Sequence, residues 1–129
     1  MHRKTSNRET TLKVQIGFSR AVRIGNVIAV SGTAPIAADG TTIGVGNLYA
    51  QTKACLDIGL AAITELGASA HDVIRTRIML TDIAQWEDAA KAHGEVFADI
   101  QPACTFVEVK GFIRPDWHVE TEIDAVCES

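Results

Sequence analysis

Cysteine, proline and aromatic residues are scarce in this chain of 129 residues: three cysteines, three prolines and one tyrosine, with aromatics at 5% overall. Cys55, Cys104 and Cys127 are odd in number, widely spaced and form no C-x-x-C pair. That suggests neither a disulfide framework nor a structural zinc site. His2, His71 and His118 show no paired ligand spacing, so no metal is expected, and no cofactor either. Gly40, Gly44 and Gly46 lack the spacing and context of a phosphate-binding loop. No apolar run approaches the roughly 18 residues of a membrane span. Residues 1–11 are polar and charged without an apolar core, so neither a membrane partner nor a secretory leader is expected. Basic charge is in the minority, 12 Lys+Arg against 16 Asp+Glu for a net charge of −4, which argues against nucleic acid as a partner.

What remains is ordinary globular material, 47% hydrophobic and 22% charged. The length fits one domain, which at this size buries roughly two thirds of its unfolded surface. The chain reads as a single cytoplasmic domain over residues 15–129, preceded at 1–14 by a flexible arm or an edge segment.

Ala21 to Ile24 and Val27 to Ser31 are short apolar segments joined by Gly25-Asn26, a hairpin signal. Residues 32–46 read as a loop, with a short strand near Thr41 to Ile43 as an option. Asn47 caps a helix running to about Leu66, where Gly67 stops it. Its apolar face is Leu48, Cys55, Ile58, Ala62 and Leu66, widened by Leu56, Leu60 and Ile63. Val73 to Leu80 alternates as a strand, with Ile74, Thr76, Ile78 and Leu80 on one face and Arg75, Arg77 and Met79 on the other. A capping box at Asp82 to Gln85 opens a second helix whose inner stripe is Trp86, Ala89/Ala90, His93, Val96/Phe97 and Ile100, ending at Gln101-Pro102. Cys104 to Lys110 and His118 to Cys127 close the chain as strands. Helices between strands predict an α+β layer with one sheet face packed on helices and the other solvated or meeting another subunit.

On the last strand Glu120, Glu122 and Asp124 share a face at intervals of about 7 Å, and Arg75 and Arg77 share a face of another. If those strands are neighbours the charges pair across the sheet. A solvated charged face and an oligomer interface that encloses one carboxylate, raising its pKa, both fit this pattern. His93, on an apolar helical stripe, reads either as a core histidine bonded to a backbone carbonyl or as one at a cleft mouth. Cys104 reads as a buried, inert thiol by default and as a nucleophile only beside a cation or histidine. Cys55 is packing. Trp86 and Phe97 fit core better than a cofactor platform, whereas Trp117, beside Pro115 in a loop, reads as an exposed tryptophan suited to an interface or ligand. No catalytic triad or dyad emerges from spacing.

Four segments together carry a resemblance. They are Phe18 through Asn26, Val30-Ser31-Gly32, Asp72 through Thr76 with Thr81-Asp82-Ile83, and Pro102-Ala103 through Val107-Glu108-Val109 to Val119-Glu120-Thr121-Glu122. On these the chain resembles the reactive-intermediate deaminase (RidA, or YjgF-type) family from about Gly17 to Val126. The resemblance implies a chorismate-mutase-like fold, a mixed β-sheet with two helices on one face, assembled as a homotrimer with clefts at its subunit interfaces. Such clefts hydrolyse imines and enamines, releasing ammonia and a 2-keto acid. In the family an arginine after Pro-Ala clamps the substrate carboxylate; that position is Cys104 here. A family tyrosine is Phe18 and a family asparagine aligns with Ala90, while the acidic residue beside the attacking water, Glu120, and the Ser31-Gly32 backbone are kept. This matches the arginine-lacking members. The implied reading is a hydrolase or deaminase of a small imine- or enamine-type metabolite other than the usual 2-imino acid. Glu120 and Cys104 are its catalytic candidates, and Phe18, Arg20, Ser31, Gly32, Arg77, Trp86 and His93 line the cleft. Arg20 or Arg77 would stand in for the missing cation. The alternative is a trimer that binds a metabolite or regulates a partner without chemistry.

Overall fold

A computed structural model describes residues 2–7 and 16–128. The described strands are β1 (Arg3–Ser6), β2 (Ala21–Ile24), β3 (Val27–Thr33), β4 (Val73–Leu80), β5 (Ala103–Glu108) and β6 (Val119–Val126). They form one sheet in the order β1-β2-β3-β6-β4-β5. Of the arm expected over residues 1–14, Arg3–Ser6 is an edge strand paired antiparallel with β2, and residues 8–14 lie outside the described residues. Every pairing is antiparallel except β4 with β5, which α2 (Trp86–Phe97) connects, as a parallel pair requires. The sheet is therefore mixed, and α2 and α1 (Leu48–Glu65) lie side by side against one face of it.

The local reasons are legible. Gly25 takes φ 60° in the β2–β3 turn, a conformation that costs glycine nothing. The Asn47 side chain accepts from the Ala50 N–H at 3.0 Å. At the far end Gly67, at φ 94°, lets Ala68 N–H reach Ile63 O and its own N–H reach Thr64 O, the Schellman arrangement. Asn47→Ala should lower stability by about 1 kcal/mol, read from the midpoint of urea unfolding. The core lies between α1 and the sheet: Leu56, Ala62 and Ile63 meet Ile28, Val30, Ile78, Val119 and Ile123. Gly59 lets the helix approach closely, since a Cβ there would come within 2.9 Å of Ile123 Cδ1.

Four expectations change. On β4 the buried residues are Val73, Thr76, Ile78 and Leu80, and Ile74 is exposed. A register shift against β6 between Val73 and Arg75 makes Ile74 the extra residue of a bulge, which reverses the alternation. Asp82 accepts from Ala84 N–H and caps a 3₁₀ turn, Ile83–Gln85, instead of opening α2 through a capping box. Trp86 is exposed rather than core, because it overhangs β5, the edge strand, and among the described residues no further strand covers it. Trp117 is buried rather than exposed: its indole N–H donates to Thr42 Oγ1 and the Arg114 guanidinium lies over its ring. Gln51 holds that loop to α1, donating to Asp116 O and accepting from His118 N–H. No helix of the described residues is long and apolar enough to cross a membrane.

Candidate functional site

The first cluster forms where β3 meets β6. Val30 pairs with Ile123 and Thr33 with Thr121, so β3 carries one extra residue in between and Ser31-Gly32 bulges. The bulge brings the Gly32 backbone against Glu120: a Cβ on Gly32 would lie 2.9 Å from Glu120 Oε1. The Ser31 hydroxyl donates to Ser19 O at 2.6 Å, tying the bulge to the segment before β2. Arg20 donates through Nη1 to Gly32 O at 2.8 Å and to Thr33 Oγ1 at 3.1 Å, with its guanidinium 5.8 Å from the Phe18 ring centre. Phe18, Arg20, Ser31, Gly32 and Glu120 therefore meet in one place. Burial pushes the Glu120 carboxyl above its ordinary 4.5; the nearby Arg20 charge pulls it back and Glu122 adds to the rise.

Gly32→Ala should displace that carboxylate while sparing the fold, because the atom in the way ends a flexible side chain. The expected result is a thermal midpoint within about 2 °C of wild type, alongside a clear loss of whatever turnover Glu120 supports.

The second cluster lies under α2 at the β4–β5 edge of the sheet. Thr76, fully buried on β4, shares a 2.8 Å hydrogen bond with His93 Nε2, in place of the backbone carbonyl expected as the partner. The His93 ring stacks at 4.7 Å on Phe97 and meets Phe106 edge-on at 6.2 Å. Burial holds its pKa below 6.5, so the imidazole is neutral at neutral pH. Cys104 is the register partner of Thr76 and is exposed, not buried as its default reading had it. The cause is its strand: β5 is the sheet edge. Trp86 packs edge-on against Phe106 at 5.8 Å, so an aromatic row borders Cys104's strand.

One subunit does not join these clusters. Cys104 shares a face with Thr76, on the helix side, whereas Glu120 pairs with Met79 on the open face. Arg77 stands apart from both, 3.4 Å from Glu122 and 3.4 Å from Asp124, and Arg75 lies 3.9 Å from Asp124. The charge pairing across strands foreseen from the sequence is thus present, but Glu120 is outside it. These pairs are half exposed and worth little individually. Two participants were not among the site residues expected from the sequence. Thr76 was visible only as a hydroxyl within a strand's apolar face, and Thr33 as a residue in a turn-rich stretch. Among the described residues no three His, Cys, Asp or Glu side chains converge as a metal site.

A family model described as endoribonuclease L-PSP matches residues 9–127. An uncharacterised protein of Streptomyces coelicolor is 36% identical over 109 residues, which span 84% of this chain and 81% of the relative. The 3-aminoacrylate deaminase RutC of Acinetobacter baylyi is 30% identical over 100 residues, 78% of this chain and 79% of that protein. Among solved structures, a YjgF/YER057c/UK114 family member from Mycobacterium tuberculosis superposes with a TM-score of 0.86 at 35% identity, covering 97% of this chain and 99% of the other.

Proposed function

The chain belongs to the endoribonuclease L-PSP family, also called YjgF or RidA, and from that membership we propose that it hydrolyses a small imine or enamine lacking the usual 2-carboxylate. The observation that carries this reading is Glu120. It is a half-buried acid with a raised pKa, packed against the Gly32 backbone and outside the ion pairs that occupy Glu122 and Asp124. A carboxylate so placed takes a proton from water as the oxygen adds to the imine carbon. Glu120 returns that proton to the nitrogen, giving the carbinolamine; it then takes the carbinolamine's hydroxyl proton and delivers it to the nitrogen as the C–N bond breaks, so that ammonia leaves and a carbonyl product remains. The deaminase name of the Acinetobacter relative supports this class of reaction.

The departure from 2-imino acids rests on Cys104. A thiol offers one weak donor where an arginine offers a bidentate clamp, and losing such a contact costs two to three decades of affinity, roughly 3–4 kcal/mol. Arg77 does not substitute, being engaged by Glu122 and Asp124. In this reading Arg20 positions the Gly32 bulge and sets the charge beside Glu120. Cys104, His93 and Trp86 supply the other wall of the cleft from a neighbouring copy in a homotrimer. The exposure of Cys104 and Trp86 at the β5 edge, with half-buried His93 behind them, supports that arrangement. RNA cleavage has less support: the net charge is −4 and the arginines of the open face are paired with carboxylates.

The test is ammonia and carbonyl release from freshly generated imines, uncharged ones beside 2-imino acids, with wild type and Cys104→Arg. Wild type is expected to turn over the uncharged imines, and Cys104→Arg to gain 2-imino acids. Inactivity of wild type on every imine overturns the hydrolase, leaving a ligand-binding protein. A monomer by light scattering at micromolar concentration overturns the shared cleft.

A further inference from the structure

Glu120 has a neighbour on the open face that the hydrolysis does not use. Thr81 N–H donates to His118 O at 3.1 Å, extending the β4–β6 ladder one pair beyond Leu80 and Val119. Val119 is buried on the helix side, so strand alternation puts His118 on the open face with Glu120, about 7 Å away. There Thr81 Oγ1 and His118 Nδ1 share a 3.1 Å hydrogen bond, which leaves the Nε2 nitrogen for another partner. His118 and Thr81 form one side of a pocket of about 360 Å³ beside the β5–β6 loop, whose other walls include Lys110, Phe112, Arg114 and Trp117.

The loop is held at three points. Val109 N–H donates to Leu80 O, Trp117 N–H to Arg114 O, and Arg114 Nη1 to Gly40 O. No aspartate or glutamate lines the pocket. In a chain of net charge −4, that makes it a local reversal of sign. Arg114 is committed to Gly40 O and to the Trp117 ring, so it adds field rather than a grip. Lys110 differs: it is exposed, and among the described residues its ammonium has no hydrogen bond or ion pair. A point charge on a flexible stem, with an imidazole nitrogen and the Phe112 ring in the same pocket, suits one carboxylate on a short apolar tail.

We infer, resting on hydrolysis at Glu120, that this pocket holds a terminal carboxylate of the substrate, about five bonds from the imine carbon, with Lys110 as its anchor. The contact that Cys104 cannot make with a 2-carboxylate is replaced by one to the far end of the molecule.

The test uses two imines made in place by a flavin amine oxidase, 6-iminohexanoate from 6-aminohexanoate and hexan-1-imine from hexylamine, with hexanoate as an unreactive probe of the pocket. Wild type should show a KM about tenfold lower for 6-iminohexanoate at similar kcat, since a contact made equally in ground and transition states lowers KM alone. That preference should fade in high salt, vanish in Lys110→Gln and survive in Lys110→Arg, with both variants at the wild-type thermal midpoint. Hexanoate should shift the backbone amides of residues 110–118 and of Thr81 in wild type and not in Lys110→Gln. Equal KM for the two imines, or a preference kept in Lys110→Gln, overturns the subsite and leaves the hydrolase standing. If neither imine is turned over, the hydrolase fails and the hexanoate shifts decide the pocket alone. Their loss in Lys110→Gln then keeps the carboxylate site; their absence from wild type, or their appearance elsewhere on the molecule, overturns it.

Discussion

Glu120→Gln is expected to lower imine turnover by about two to four decades, the contribution of a positioned acid–base group. The same variant should be more stable than wild type at pH 7. Glu120's folded pKa lies above its ordinary 4.5, so between those two values the native chain binds more protons than the unfolded one. Stability contributed at this position therefore falls as pH rises through that window, and above it the ionised carboxylate is a standing cost. Glutamine removes the cost. Unfolding midpoints of the two proteins should converge below pH 4.5, where both side chains are neutral, and separate above it. His93 works in the other direction, since burial keeps it neutral and acidification charges it, but it is common to both proteins and cancels in the comparison. A carboxylate merely solvated on the open face would give neither the rate loss nor the separation.

The largest effect on stability is expected from Phe97→Ala. Phe97 is among the largest fully buried side chains, near the C-terminal end of α2, and its removal should cost about 3–5 kcal/mol through lost burial and the cavity left behind. For a domain of this length the thermal midpoint should drop by roughly 10 °C or more. The loss reaches the second cluster as well, because Phe97 is the ring on which His93 rests while it bonds Thr76. Phe97→Leu, which keeps most of the volume, should recover most of the midpoint. An imidazole resonance that titrates closer to 6.5 in Phe97→Ala would show that the ring also keeps water from His93.

Much of this fold was legible from periodicity. The strand expected over Val73 to Leu80 and the helix between Asn47 and Gly67 have those limits in the structure, because an alternating segment and a capped amphipathic one each declare their own ends. The cross-sheet meeting of Arg75 and Arg77 with Glu122 and Asp124 followed from two faces of opposite charge. What stayed hidden depends on partners distant in sequence. Ile74 looks like any β-branched strand residue, and only the pairing with β6 makes it the bulge. Trp117 owes its burial to Thr42 and Arg114, and Trp86 its exposure to the end of the sheet at β5. In the candidate site, Glu120 stood out as one of three acids on a face, but its separation from the other two needed the Ser31-Gly32 bulge. Cys104 and Glu120 were assigned to a single cleft through the family resemblance alone, and their opposite faces in one subunit could not be read from spacing.

The thiols of this chain form a graded reporter of its state. Cys55 and Cys127 are buried and Cys104 is exposed, with burial also pushing the Cys55 thiol well above its usual pKa. A maleimide dye should thus attach at one position per folded chain and at three once denaturant opens the core. If copies close over the β5 edge, the single native label should go on slowly in concentrated solution and quickly on dilution, so that labelling kinetics read association and unfolding from the same three sulfur atoms.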